Sequence, residues 1–173
     1  FEFFSQAALD KVIKRQGHSA PFATQAPFYA LIEFETRTQV TSVALALFEQ
    51  CAAQGWVLDG VVSQSLAQTR ALWRLREDIS ETLWHWQPYK NDISVRVSKM
   101  SDFLAEVDQL VAARYPDFEI VWYGHIGDGN LHLNILKPED LPQTEFFERC
   151  GIVSLEIGEL LARYGGSISA EHG

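Results

Sequence analysis

Two histidines, His125 and His132, flank a Gly-Asp-Gly-Asn sequence and could together bind a metal ion. The apolar runs on either side and the central Asp128-Gly129 pair predict a β-hairpin with a two-residue turn of type I′, because both central positions of that turn need positive φ. This turn pairs His125 directly with His132, and opposed residues lie about 5 Å apart on one face of a hairpin. We therefore expect both imidazoles on a polar face, which Tyr123 and Asn134 extend. The opposite, core face would carry Trp122, Ile126, Leu131, Leu133 and Ile135.

Two imidazoles on a hairpin need a third ligand from elsewhere in the chain to hold one metal ion. From spacing alone, a metal site is the less common outcome, because two histidines on a hairpin are usually solvated or hydrogen-bonded polar residues. The last residues, Ser167 to Gly173, alternate like a strand and present a carboxylate, Glu171, and a third imidazole, His172. These residues favour the metal site over the solvated alternative.

A further candidate lies on the helix predicted from Leu66 to about Trp86. Arg76 and Ser80 are four residues apart, on one face of that helix and beside its apolar stripe. A planar guanidinium next to an apolar wall is suited to binding a carboxylate through two hydrogen bonds. The alternative is an exposed arginine that pairs with its neighbours Glu77 or Asp78.

The hairpin sequence from His125 to His132, followed about 40 positions later by Ser169-Ala170-Glu171-His172-Gly173, resembles a known family. This family is the C-terminal domain of FAD-linked 2-hydroxy-acid dehydrogenases, a group that includes D-lactate dehydrogenase, D-2-hydroxyglutarate dehydrogenase and the glycolate oxidase flavoprotein subunit. The resemblance spans the chain from about Tyr29 to Gly173. It implies oxidation of a small D-2-hydroxy acid to a 2-keto acid, with FAD bound by an N-terminal domain of the same polypeptide and an unspecified electron acceptor.

The resemblance also implies roles for single residues. His125, His132 and Glu171 match the ligands of a divalent metal, usually taken as zinc, and His172 matches the general base. Arg76 and Lys90 match positions that bind the substrate carboxylate, and Asn134 matches a polar contact near the substrate. Ser80 falls where a threonine is common in the 2-hydroxyglutarate enzymes. Serine keeps the hydroxyl but lacks the methyl group, which counts against hydroxyglutarate as the substrate.

These roles agree with the chemistry of oxidising a 2-hydroxy acid. A metal chelated by hydroxyl and carboxylate oxygens would lower the pKa of the hydroxyl. A neutral imidazole would take the hydroxyl proton, and cations would hold the carboxylate in place.

The elements that must position these residues form an alternating series. The patterns predict helices over residues 3–16, 38–54, 66–86, 101–115 and 144–164, with Ser63 or Ser65 capping the third. They predict strands over 28–35, 56–62, 92–97, 117–126, 131–136 and 167–171. We count two β-α-β units, and we expect an α+β fold with a ferredoxin-like antiparallel sheet and helices packed on one face.

Composition narrows the class of protein. The 173 residues fit one domain with a sizeable core, and a net charge of −9 argues against nucleic acid or an anionic membrane as a partner. No apolar run is long enough for a membrane span. Cys51 and Cys150 lie far apart without CxxC spacing, which is typical of thiols in a reducing compartment. We expect a cytoplasmic location.

A hydride acceptor is the missing part. Gly124, Gly127 and Gly129 lie in the hairpin rather than at a strand-to-helix turn, so they do not form a dinucleotide-binding motif. We expect residues 1–173 to be the single substrate-and-metal domain of a larger flavoprotein, inactive by itself. Two alternatives stay open: a metal-dependent hydrolase or lyase, and a non-enzymatic ferredoxin-like interaction module with surface histidines.

Overall fold

The computed structural model describes residues 1–35 and 40–168, which form strands and helices in alternation. The strands are β1 (Glu2–Ser5), β2 (Phe28–Leu31), β3 (Tyr89–Ser94), β4 (Glu119–His125), β5 (Asn130–Leu136) and β6 (Ser167–Ile168). The helices are α1 (Gln6–Gln16), α2 (Val40–Ala53), α3 (Leu66–Glu77), α4 (Ile79–Leu83), α5 (Met100–Arg114) and α6 (Gln143–Arg163). Short 3₁₀ turns cover Trp84–Trp86 and Val97–Lys99.

The described strands form one sheet in the order β2-β1-β4-β5-β3-β6, and every neighbouring pair is antiparallel. The elements from β3 to β6 follow the β-α-β-β-α-β order of a ferredoxin-like unit. Strands β1 and β2 extend this unit beyond β4. The predicted α+β class and antiparallel sheet are confirmed.

Helices cover both faces of the sheet, whereas we expected them on one. The reason lies in β4, where Trp122 packs into one core, with Phe103 of α5 and Phe146 of α6. Its neighbours Val121 and Tyr123 point the other way and pack with α1, α3 and α4. Because successive strand residues face opposite sides and both are apolar here, each side needs its own cover. The one-face arrangement holds only for α5 and α6 within the ferredoxin-like unit.

The N-terminal part departs from the predicted elements. The predicted helix over 3–16 begins later, because β1 pairs with both β2 and β4 and Ser5 then caps α1, its Oγ accepting from the Ala8 amide at 3.4 Å. Residues 56–62, predicted as a strand, are irregular, with Trp56 74% and Leu58 65% exposed. The first predicted β-α-β unit therefore lacks its second strand, and no side chain of α2 is buried.

The helix predicted over 66–86 is divided. Ser65 is its N-cap, as one of the two predicted residues, and its Oγ accepts from the Gln68 amide at 3.2 Å. Helix α3 ends at Glu77, and α4 begins at Ile79. Asp78 lies between them as the C-cap of α3, and its amide still bonds to the Arg74 carbonyl. The third predicted strand, 92–97, lies earlier, at Tyr89–Ser94. No helix within the described ranges has the length and hydropathy to span a membrane.

Candidate metal and substrate site

The hairpin holds both histidines on one face, in a register two residues away from the predicted one. Tyr123 lies opposite His132, and His125 lies opposite Asn130. The turn is longer than expected, and in it the Asp128 amide bonds to the His125 carbonyl at 3.4 Å. Only Gly129 has positive φ within the turn, +80°, whereas a type I′ turn needs positive φ at two residues. A type I′ turn is therefore wrong. Since side chains alternate with a period of two, a shift of two residues leaves every side chain on its predicted face.

Strand pairing arranges the polar residues in rows that cross the sheet. From β1 towards β3, the first row is Glu2, His125, Asn130 and Ser94. The second row is Phe4, Tyr123, His132 and Asp92, and the third is Val121, Asn134 and Lys90. Neighbours within a row lie about 5 Å apart. The sheet therefore places Glu2 beside His125 and Asp92 beside His132.

Each imidazole contacts a carboxylate through Nδ1. His125 Nδ1 lies 2.8 Å from Glu2 Oε1, and His132 Nδ1 lies 2.6 Å from Asp92 Oδ1. A carboxylate only accepts hydrogen bonds, so Nδ1 carries the proton and, in a neutral imidazole, Nε2 carries the lone pair. The two rings are 5.5 Å apart between centroids and nearly perpendicular, at 78°.

The environment of His132 favours the neutral ring. Its side chain is 9% exposed, and burial lowers the pKa of the imidazole, although the hydrogen bond that His132 donates to Asp92 acts in the opposite direction. A neutral imidazole is the form that ligates metals.

Arg76 reaches the same site from α3. Its Nη2 lies 2.9 Å from Glu2 Oε2, and its guanidinium stacks on the Tyr123 ring at 4.8 Å from the centroid. The side chain is only 11% exposed, so the surface-arginine alternative is wrong. Its Nε is buried with no hydrogen-bond partner among the described residues. This donor is available to an acceptor from outside the described part of the chain.

Ser80 and Lys90 meet at the edge of the site. Lys90 Nζ donates to Ser80 Oγ at 3.4 Å and lies 4.8 Å from the centroid of the Trp84 ring. Lys90 comes from β3, whereas Ser80 comes from α4, so the contact joins the sheet to the helices that cover it. The predicted substrate residues are thus brought together on the histidine side of the sheet.

Asn134 and Tyr123 line the buried part of the site. Asn134 is 1% exposed, and its Nδ2 donates to the His132 carbonyl at 3.2 Å. Its Oδ1 is buried without a hydrogen-bond partner in the part of the chain that the structure describes. Tyr123 is 6% exposed, and burial raises the pKa of its hydroxyl against hydrogen bonds with Ser80 and Asn134. The phenol therefore stays protonated and can donate.

Two of the three predicted metal ligands are together in this structure. Glu171, the third, and His172, the predicted base, lie outside the described residues. Residues 1–35 and 40–168 contain no group of three His, Cys, Asp or Glu side chains placed to hold a metal ion. The donor set nevertheless fits a metal, because His125 and His132 both have Nδ1 on a carboxylate and Nε2 as the remaining ring donor atom.

Two residues of the site, Glu2 and Asp92, were missed at the level of sequence, and so was the contact between Tyr123 and Arg76. Glu2 was hidden because residues 3–16 have helical spacing, and its place beside His125 depends on pairing between β1 and β4. Asp92 begins the predicted third strand, but only the β3–β5 register places it beside His132. Tyr123 was expected on the polar face, and its contact with Arg76 depends on how α3 packs.

The fold and the site together define a class of protein. It is an α+β domain that carries two carboxylate-paired histidines and a buried arginine on one face of its sheet. The whole chain, residues 1–173, matches the family described as FAD linked oxidases, C-terminal domain, and it belongs to that family. This confirms the resemblance drawn from the hairpin and C-terminal motifs.

Relatives along the whole chain carry related names. The chain is 60% identical over 174 aligned positions to a D-2-hydroxyglutarate dehydrogenase of Stutzerimonas stutzeri (strain A1501). It is 52% identical to a protein of the same name from Xanthomonas citri pv. viticola and 33% identical to a mitochondrial one from Danio rerio. Each alignment covers 100% of this chain but only 38%, 37% and 32% of the respective relative. The chain thus spans about a third of the length of these relatives.

Proposed function

We propose that this domain holds the substrate and a divalent metal for an FAD-linked dehydrogenase that oxidises a D-2-hydroxy acid to a 2-keto acid. The observation that carries the proposal is the meeting of two carboxylate-paired histidines with Arg76, Ser80, Lys90 and Asn134 on one side of the sheet. Membership of the FAD-linked oxidase family supports the redox part. FAD, bound outside this domain, would supply the hydride acceptor.

His125 and His132 would hold the metal through their Nε2 atoms, with Glu171 as the third ligand. Zinc is the first candidate, because two imidazoles and a carboxylate with an open position are a common catalytic zinc set. When bound, the metal would act as a Lewis acid that lowers the pKa of the substrate hydroxyl. His172 remains the proposed base that accepts the hydroxyl proton.

The cations of the site would orient an anionic substrate. Arg76 keeps its buried Nε as a donor, Lys90 contributes an ammonium group, and Asn134 Oδ1 offers a buried acceptor for a hydroxyl. Two cations suit a substrate with two carboxylates. Because relatives at 60% and 52% identity are named for D-2-hydroxyglutarate, we propose this dicarboxylate as the substrate to test first, although the resemblance implies that threonine is common in such enzymes at the position of Ser80. A cytoplasmic location remains a prediction.

The test is zinc binding by this chain and by matched histidine variants. We expect about one zinc per chain, loss of this zinc in His132→Ala, and retention in His18→Ala. His18 is a matched control because its imidazole also pairs with a carboxylate, Asp78 Oδ2 at 2.7 Å, but it lies outside the proposed site. Stoichiometric zinc of unchanged affinity in His132→Ala would refute the metal assignment.

The full-length polypeptide then tests the redox assignment. We expect D-2-hydroxyglutarate to bleach the flavin absorbance without oxygen, and we expect Lys90→Ala to weaken this response at limiting substrate. Steady hydrolysis of carboxylate esters with the flavin removed would instead support the hydrolase alternative. Unchanged metal content and substrate binding in His125→Ala would support the interaction module.

A further inference from the structure

We infer that Glu2 and Asp92 are positioning residues of the proposed metal site, holding the proton of His125 and His132 on Nδ1 so that both Nε2 atoms are presented as ligands. This inference rests on the proposed function, because it assigns partners to the proposed ligands. Neither carboxylate was among the predicted site residues, and each contacts one of the two histidines.

The geometry of the sheet makes these contacts specific. Glu2 stands opposite His125 in the β1–β4 pair, and Asp92 stands opposite His132 in the β3–β5 pair. Each carboxylate therefore reaches its imidazole across a single strand spacing, at 2.8 and 2.6 Å. The two contacts approach the central hairpin from opposite sides, so one strand on each flank fixes one ring.

Arg76 anchors one of the two carboxylates. Glu2 uses Oε1 for His125 and Oε2 for Arg76, and the side chains of Glu2 and Arg76 are both 11% exposed. A carboxylate this buried needs a charged partner, since an unpaired buried charge is strongly unfavourable. The guanidinium therefore supplies the partner that this buried carboxylate needs and limits its rotation. Asp92 is more exposed, at 25%, and holds His132 without this bridge.

The chemical effect of such a carboxylate is on the donor atom at the far side of the ring. Accepting from Nδ1–H fixes the tautomer and the ring orientation and makes Nε2 a more basic ligand. Removing the carboxylate lets the proton move to Nε2, where it blocks metal binding. Losses of metal affinity of about 10- to 100-fold are usual for such partners.

The experiment measures zinc affinity of the full-length polypeptide by competition with a chelator, in Glu2→Gln and Asp92→Asn. A glutamine can offer its carbonyl to only one of the two donors that share Glu2, so its amide group faces the other. Glu119→Gln is the matched control, because it neutralises a carboxylate of the same sheet that is 50% exposed and pairs with Lys11. We expect zinc binding to weaken about 10- to 100-fold in the two site variants and to stay within about twofold in the control.

A second measurement needs no metal, and it distinguishes a loss of histidine positioning from a loss of protein stability. Nitrogen-15 NMR of labelled histidine in the metal-free protein reports which ring nitrogen carries the proton. In the wild type, we expect the proton on Nδ1 of both His125 and His132. In Glu2→Gln, we expect His125 alone to lose this preference, and in Asp92→Asn we expect His132 alone to lose it. If Glu2→Gln fails to fold, Glu2→Asp, which keeps the charge but is too short to bridge both donors, takes its place.

The possible results are distinguishable. Wild-type zinc affinity in Glu2→Gln and Asp92→Asn, with zinc lost in His132→Ala, would overturn the inference and leave the proposed function standing. Unchanged tautomers in both variants would also overturn it. Absence of zinc from the wild type and from His132→Ala alike would overturn the proposed metal site itself, whatever the tautomers are.

Discussion

Gly129 is the residue of the hairpin turn whose replacement should be most damaging. Its φ is +80°, and a Cβ built there would lie 2.0 Å from the Val95 carbonyl oxygen. Its own carbonyl accepts from the Val95 amide at 3.1 Å, so the turn is held against the backbone that follows β3. Gly129→Ala must therefore change both the backbone conformation and this contact.

The loss in free energy of unfolding caused by Gly129→Ala can be estimated from three contributions. A left-handed conformation costs a residue with a Cβ about 1–2 kcal/mol. Overpacking against a fixed backbone atom costs about 1–3 kcal/mol. Loss of the Val95 hydrogen bond costs about 1 kcal/mol. Partial relief of the clash by movement of the turn leaves an expected loss of about 3 kcal/mol or more.

Gly17→Ala is the matched control, because φ at Gly17 is +71° but no described atom lies within 4 Å of the added Cβ. Gly17→Ala should therefore lose only the free energy that the left-handed conformation costs, about 1 kcal/mol. Urea unfolding followed by tryptophan fluorescence gives both free energies of unfolding by linear extrapolation. If the two variants differ by less than about 0.5 kcal/mol, the packing of Gly129 against Val95 is not what makes this glycine necessary.

Two further predictions concern the core beneath the hairpin. Leu133 is fully buried, so Leu133→Ala should lower the free energy of unfolding by about 2–5 kcal/mol. Leu155 is 74% exposed, so Leu155→Ala should change it by less than about 0.5 kcal/mol. If urea unfolding gives similar losses for the two variants, the assigned core face is contradicted. Burial raises the pKa of the Cys150 thiol to about 12, so a thiol reagent near pH 8 should label half-buried Cys51 and reach Cys150 only after unfolding. Labelling of Cys150 in the native protein at the rate of Cys51 would show that α6 is not packed as described.

The hairpin shows which structural features the sequence pattern predicts and which it does not. Alternation predicted that His125 and His132 share a face and that Trp122, Leu131 and Leu133 share the other, and both statements are confirmed. The register was wrong by two residues because alternation has a period of two and cannot detect such a shift. Only the turn conformation separates the registers, and it depends on contacts such as that between Gly129 and Val95, which are distant in sequence.

The N-terminal errors have a different cause. Residues 3–16 have helical spacing, yet Phe3 and Phe4 lie in a strand because β4 offers them a partner and both sheet faces offer them a core. Tertiary pairing here overrides a local pattern. The same strand brings in Glu2, so the error in secondary structure and the omission of Glu2 from the site have one origin.

The pairing of Arg76 with Glu2 also changes how this arginine should be understood. From sequence, its charge was assigned to the substrate carboxylate, yet Glu2 already contacts it at 2.9 Å. Apart from the histidines, the described charged groups of the site are Glu2, Asp92, Arg76 and Lys90, and their formal charges cancel. In a chain of net charge −9, such a site has little attraction of its own for an anion. The proposed divalent metal would supply the positive charge that draws in the substrate, while Arg76 and Lys90 would set its orientation.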